Sequence, residues 1–167
     1  TAYLAYTQVE KNRIHDKYDI IDIPILLGGI FKLTGNAPPG NVKAKKNYMV
    51  NDLQRYASKY NVDFQFNDNF PINTLNLMRG AIAAEIFGIK SLFDKCIFNG
   101  IWTENKNLSD MEVLKKHLSS YSIDWEKIFE LVQKKEIKDQ LISNTNQAVN
   151  KGIFGAPSFY INNKIFW

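Results

Sequence analysis

The chain has 167 residues, a net charge of +4 and a hydrophobic fraction of 45%. This length and apolar content suit one domain with its own core and exclude a disordered or collagen-like chain, while the uncharged stretch 23–31 is far shorter than the roughly 20 residues of a membrane-spanning helix. The single cysteine, Cys96, excludes a disulfide scaffold and predicts a reducing compartment, the cytoplasm. The lysines are scattered among acidic residues, which predicts no nucleic-acid partner.

The N-terminal part of the chain is predicted to contain a helix, a strand and a second, longer helix. Residues 1–9 predict the body of a helix. Residues 18–25 are short and β-branched, which predicts a buried strand that ends at Pro24. Glycines and prolines between residues 28 and 40 then predict a helical turn and a long loop. Apolar side chains at spacings of three and four predict an amphipathic helix over 42–60.

The middle of the chain predicts further amphipathic helices with recognisable ends. Asn73 or Thr74 is placed to cap the first of them. Ser109 with Glu112 has the spacing of a capping box for a later helix. Gly152 is placed to end the last helix in the left-handed conformation.

Two short apolar runs follow, and Asn162-Asn163 between them predicts a β-hairpin. The order of strand, helices and hairpin predicts an α/β fold with a split sheet. We expect one domain over 1–167 with a helical insertion at about residues 42–135.

Few side chains in the sequence have the spacing of a catalytic or metal site. His15 and His117 are far apart, so no metal site is predicted and both are interpreted as surface residues. Gly28-Gly29 lacks the later glycine and lysine of a phosphate-binding loop. Cys96 lies among apolar residues, which favours a buried packing role over a nucleophile.

The tripeptide Gly155-Ala156-Pro157 stands at the entry to the predicted hairpin, where a proline removes no ladder hydrogen bond. A cis bond before Pro157 would direct the N–H and C=O of Ala156 outward, where an extended peptide can pair with them. The alternative is an ordinary trans proline before a strand.

Several segments carry a resemblance that covers nearly the whole chain. They are LLGGIFKLTGN at 26–36, AKKNYM at 44–49, DLQRYA at 52–57, FPINTL at 70–75 with MR at 78–79, and GIFGAPSF at 152–159. Together they resemble the 2-hydroxychromene-2-carboxylate isomerases and their relatives, the kappa-class glutathione transferases.

The resemblance implies a thioredoxin-like fold with an inserted helical bundle, and glutathione as the cofactor. It implies an isomerase of small aromatic-degradation intermediates, of the type that converts 2-hydroxychromene-2-carboxylate to a benzylidenepyruvate. It also implies a homodimer. The alternatives are a kappa-like glutathione transferase, a thiol-disulfide oxidoreductase of the same fold, and a fragment that only binds a peptide or glutathione.

The resemblance also assigns site residues. Ala156 and Pro157 match the segment whose backbone pairs with the cysteinyl part of glutathione, and Asn36 and Trp167 join them as expected cofactor contacts. Lys32 and Lys43 are expected to meet the carboxylate of the aromatic substrate, as point charges.

The family's activating serine belongs to a Ser-Pro pair just ahead of a Tyr-Leu-Ala stretch, and Tyr3-Leu4-Ala5 matches that stretch. We therefore expect the serine upstream of Thr1 and no catalytic residue within 1–167. We also expect the chain to be the middle of a longer polypeptide, cut at both ends. A Ser-Pro pair there favours the isomerase or the transferase, whereas Cys-x-x-Cys favours redox chemistry.

Overall fold

The structure is a computed structural model that describes residues 1–167 and consists of helices and one β-hairpin. The helices are α1 Ala2–Lys11, α2 Leu27–Thr34, α3 Lys43–Tyr60, α4 Leu75–Ile86, α5 Lys90–Trp102, α6 Met111–Ser120, α7 Trp125–Val132 and α8 Lys135–Asn150, with short 3-10 turns at Ile14–Asp16 and Pro39–Asn41. The strands are β1 Phe159–Ile161 and β2 Lys164–Phe166. None of the helices is both long enough and apolar enough for a membrane span.

The chain divides into two compact units. Unit 1 comprises Thr1–Ile23, Leu27–Phe64 and Asn146–Trp167, and unit 2 comprises Pro24–Leu26 and Gln65–Thr145. The single domain with an insertion at about 42–135 stays a prediction.

Unit 2 is built around a cluster of buried apolar side chains from α4 to α7. Its members include Leu77, Ala83, Phe93, Ile101, Leu114, Leu118, Ile128 and Val132. Helices α4 and α5 approach closely because Gly80 has no side chain, and a Cβ there would lie 2.6 Å from the Phe93 ring. Apolar residues at helical spacing therefore pack this unit as the sequence predicts.

The start of α6 differs from the predicted capping box. The cap is Asp110, whose carboxylate accepts the N–H groups of Glu112 at 2.9 Å and Val113 at 3.2 Å. Ser109 instead donates its hydroxyl to the side chain of Asn107. The capping-box prediction was wrong because an aspartate one residue nearer to the helix offers the better acceptor for its first free N–H groups.

His117 is buried, which contradicts the predicted surface position. His117 and Leu118 follow Leu114 by three and four residues on α6, so the imidazole falls on the apolar face of that helix. Its Nε2 lies 2.8 Å from the Cys96 carbonyl and its Nδ1 lies 2.9 Å from Lys106 Nζ. Cys96 is itself fully buried, as predicted, and His15 is exposed, as predicted.

The predicted strand over 18–25 is absent. The segment is irregular, and Tyr18, Ile21 and Ile23 are 66%, 80% and 54% exposed. A strand needs a neighbour for its backbone N–H and C=O groups. The sheet of residues 1–167 contains only β1 and β2, which pair with each other.

The other predictions in unit 1 are confirmed. α1 covers the predicted N-terminal helix, and α3 matches the predicted range 42–60 within one residue. The hairpin turn has Asn162 and Asn163 at φ values of 49° and 62°, which suits the twist of a two-residue turn. Gly152 follows α8 with φ at 85°, in the left-handed region.

Candidate functional site

The end of α2 directs the side chain of Asn36 towards the segment before the hairpin. Thr34 caps its own helix by donating to the Ile30 carbonyl, and Gly35 then turns the chain at φ 73°. Asn36 Nδ2 donates to the Phe154 carbonyl at 2.9 Å, and its Oδ1 accepts the Ala37 N–H at 2.8 Å. One amide hydrogen and one lone pair of Asn36 remain for a ligand.

The peptide bond between Ala156 and Pro157 is cis, which excludes the trans alternative. The Ala156 carbonyl accepts the Thr1 hydroxyl at 3.2 Å, while the Ala156 N–H forms no hydrogen bond within the chain. Ser158 donates its hydroxyl to the Gly155 carbonyl at 2.7 Å, which holds the loop from the other side. The half-buried Ala156 therefore offers one free backbone donor.

Thr1 places the N-terminus of α1 beside this loop. It is the residue before the helix, and its carbonyl accepts the Ala5 N–H at 3.0 Å. The first turn of α1 carries no acidic side chain. Its free N–H groups and the positive end of the helix dipole therefore favour a negative charge near Ala156.

Trp167 lies against the same loop. Its ring centroid is 5.2 Å from that of Phe154, with the two planes at 51°. Gly155 is buried, and a Cβ there would lie 2.9 Å from the indole Nε1. A glycine is thus required at position 155, because the indole ring lies directly against the backbone there. Phe154 is a neighbour of the site that the sequence did not single out.

Two segments that carry residues of the site are rich in lysine. Residues 27–51 and 146–167, all in unit 1, contain six lysines and no Asp or Glu. They are Lys32, Lys43, Lys45, Lys46, Lys151 and Lys164. The charge of these segments favours an anionic ligand.

The structure brings together most of the predicted site residues. Asn36 is tied to the loop that contains Ala156 and Pro157, and Trp167 covers Gly155 beside it. Lys32 lies in the last turn of α2 and Lys43 is the first residue of α3, both exposed. No hydrogen bond or ion pair joins either lysine to the Ala156 loop.

Thr1 is a further residue of the site that the sequence did not single out. Its contact with Ala156 spans 155 positions along the chain. A lone threonine before a helix gives no signal of such a contact, so only the folded chain reveals it.

Comparison with known proteins shows the family and the fold of the chain. The model of the DSBA-like thioredoxin domain matches residues 2–167. A 2-hydroxychromene-2-carboxylate isomerase of Sphingobium xenophagum is 28% identical over 139 residues, which are 80% of this chain and 68% of that protein. Human glutathione S-transferase kappa 1 is 25% identical over 146 residues, which are 80% of this chain and 64% of that protein.

A solved structure of a 2-hydroxychromene-2-carboxylate isomerase superimposes with a TM-score of 0.87 at 20% identity, over 99% of this chain and 82% of that one. The resemblance drawn from the sequence is thereby confirmed, and so is the thioredoxin-like fold class, here mostly helical with a small sheet. The chain belongs to the DSBA-like thioredoxin domain family.

Proposed function

We propose that this chain is a glutathione-dependent isomerase of aromatic-degradation intermediates, of the type that converts 2-hydroxychromene-2-carboxylate to a benzylidenepyruvate. Relatives that bear the isomerase name support the reaction class. The observation that carries the proposal is the Ala156 loop. Its N–H is free, its carbonyl accepts the Thr1 hydroxyl, and the nearby Phe154 carbonyl accepts from Asn36.

The residues of unit 1 fit glutathione, a tripeptide with a thiol and two carboxylates. The Ala156 N–H is a donor that an extended peptide can use, and it has no partner within the chain. The lysine-rich segments suit the carboxylates. In this proposal Ala156, Pro157, Asn36 and Trp167 hold the cofactor.

When bound, glutathione supplies a thiolate whose reversible attack on a conjugated carbon allows a double bond to isomerise. The chain's own residues stabilise the negative charge and orient the substrate. The N-terminus of α1 stabilises negative charge next to Ala156, which favours the thiolate of a thiol whose ordinary pKa is about 8.5. Lys32 and Lys43 orient the carboxylate of the substrate, and the activating serine upstream of Thr1 stays a prediction.

A kappa-like glutathione transferase is the second candidate, and the human kappa relative favours it. The same loop and the same lysines would serve that reaction. A thiol-disulfide oxidoreductase would depend on a Cys-x-x-Cys pair at the position expected upstream of Thr1. Cys96 does not supply its nucleophile, because burial raises the pKa of this thiol to about 12.

A two-substrate assay tests the proposal. We expect the full-length protein, with the segment upstream of Thr1, to isomerise 2-hydroxychromene-2-carboxylate with glutathione and not with S-methylglutathione, which has no thiol. Conjugation of 1-chloro-2,4-dinitrobenzene without isomerisation would establish the transferase instead. Inactivity towards both substrates would contradict both candidates.

A pair of lysine variants tests how the substrate is oriented. Lys32→Gln should raise KM for the chromene carboxylate, since a cation near the Asn36 loop is removed. Lys59→Gln, in the last turn of α3, is the matched control and should leave KM unchanged. Equal behaviour of the two variants would remove Lys32 from the site.

The homodimer and the cytoplasmic location are further proposals. The single free thiol, Cys96, supports a reducing compartment. Sedimentation velocity of the purified chain tests the dimer, and a monomer at assay concentration would contradict it.

A further inference from the structure

One arginine of the chain has no acidic partner. Arg13 pairs with Asp16 at 2.8 Å and Arg55 pairs with Asp52 at 3.8 Å, and both of these arginines are exposed. Arg79, on α4, is half-buried, and its Nε is buried without a hydrogen-bond partner. A guanidinium that has lost part of its water without gaining an acid is stabilised when an anion binds to it.

The helix around Arg79 supplies no compensating charge. α4 contains one acid, Glu85, which is six residues further along the helix and so about 9 Å away along its axis. Asn76 lies three residues before Arg79, and residues three apart are neighbours on one helix face. The half-buried side-chain amide of Asn76 forms no hydrogen bond within residues 1–167. A free amide and an unpaired cation therefore share one face of α4.

A small cavity lies at the same end of α4. It measures about 50 Å³, and its lining residues are Asn73, Asn76, Leu108, Ser109 and Met111. Asn73 accepts the Leu75 N–H with its Oδ1, which leaves the N–H groups of its amide as donors. The carboxylate of Asp110, next to the lining, is engaged by N–H groups of α6. Pockets for organic ligands measure roughly 300–1,000 Å³, so the occupant that fits this cavity is a small ion.

We propose that Arg79, together with Asn76 and Asn73, binds a small inorganic oxyanion of the phosphate type at the start of α4. The guanidinium presents its donors in one plane, and the two amides add donors from another direction. A tetrahedral oxyanion has more acceptor oxygens than a carboxylate and can use all of these donors at once. The three residues belong to unit 2 and none belongs to the candidate cofactor site, so this inference stands apart from the proposed isomerase.

NMR of the arginine side chains in the isotope-labelled chain tests the site. Sodium phosphate and sodium chloride are titrated at equal ionic strength while the Nε–H signals of Arg13, Arg55 and Arg79 are followed. The Arg79 signal should shift and saturate with phosphate, because this guanidinium alone lacks an acidic partner. The signals of Arg13 and Arg55 should change little. An Arg79 signal that responds equally to phosphate and chloride, or to neither, would overturn the site.

Three variants assign the binding to these side chains, with the backbone amides of residues 73–79 as the readout. Arg79→Gln should abolish the saturable shifts, and Arg79→Lys, which keeps the charge and loses the planar fork, should bind phosphate more weakly than wild type. Asn76→Ala should weaken binding by about fivefold, since one hydrogen bond is lost. Arg55→Gln is the matched control, an exposed arginine of unit 1, and should leave the affinity unchanged.

Sodium acetate distinguishes a phosphate site from a carboxylate site. Acetate has two oxygens and should bind more weakly than phosphate to the wild-type chain. Tighter binding of acetate would contradict the assignment to phosphate. Wild-type phosphate affinity in Arg79→Gln would contradict the role of the arginine.

Discussion

The core of unit 2 and the candidate site of unit 1 are stabilised by different interactions. In unit 2, packing dominates, and Phe93, Leu77 and Leu114 are at most 2% exposed. In unit 1, the candidate site depends on single polar contacts from Asn36 and Thr1 to backbone carbonyls. Substitutions in unit 2 should therefore lower stability, whereas substitutions around the site should lower activity with little loss of stability.

The largest expected effect is in the core of unit 2. Phe93→Ala should lower the free energy of unfolding by about 3–5 kcal/mol, because it removes a buried ring and leaves a cavity beside Gly80. Denaturant unfolding followed by circular dichroism measures it. Phe159→Ala, on the exposed hairpin of unit 1, is the control, and an equal loss in the two variants would contradict the role of the unit 2 core.

The next effect is expected at the site. Asn36→Ala should lower kcat/KM for the glutathione-supported reaction by about tenfold, since the hydrogen bond to the Phe154 carbonyl is lost, while stability changes by about 1 kcal/mol. Steady-state kinetics and unfolding on the same preparation measure both. Asn41→Ala, in the exposed turn before α3, should behave like wild type, and wild-type kinetics for Asn36→Ala would remove this residue from the site.

A smaller effect is expected at the start of α6. Asp110→Ala should cost about 1 kcal/mol of stability, because two helix N–H groups lose their acceptor. Ser109→Ala should cost clearly less, and thermal unfolding of both variants compares them. If Ser109→Ala were the more damaging change, the capping box predicted from the sequence would be restored.

The smallest effect on activity is expected at Cys96. Burial raises the pKa of this thiol in the folded chain from its ordinary value of 9.0 to about 12. The thiol thus stays neutral below pH 9, and its contribution to stability is lost as the pH rises from 9.0 towards about 12. Cys96→Ser should keep full turnover. In the wild-type chain, a thiol reagent should label Cys96 only once the chain is unfolded. Rapid labelling of the folded chain would contradict the burial of Cys96.

The sequence predicts elements well where local chemistry decides them. Apolar spacing places α3, and Asn162-Asn163 and Gly152 carry the left-handed conformations that their turns require. The strand over 18–25 fails because a strand is decided by its neighbours, which the local sequence does not contain. α5 was not predicted at all.

The site was predictable only in part. Asn36, Ala156 and Trp167 came from family resemblance, and the contact of Asn36 with Phe154 joins positions 118 residues apart that no local pattern relates. The burial of His117 had a usable signal, its spacing from Leu114 and Leu118 on one helix face, but a titratable side chain was interpreted as a surface group.

The most direct test of the account is a glutathione titration of the isotope-labelled chain, followed by NMR of the backbone amides. We predict a large shift of the Ala156 amide, together with shifts in residues 35–37 and 154–158, while amides in the core of unit 2 stay in place. Binding that leaves the Ala156 amide unmoved, or that shifts unit 2 instead, would contradict the assignment of the cofactor site.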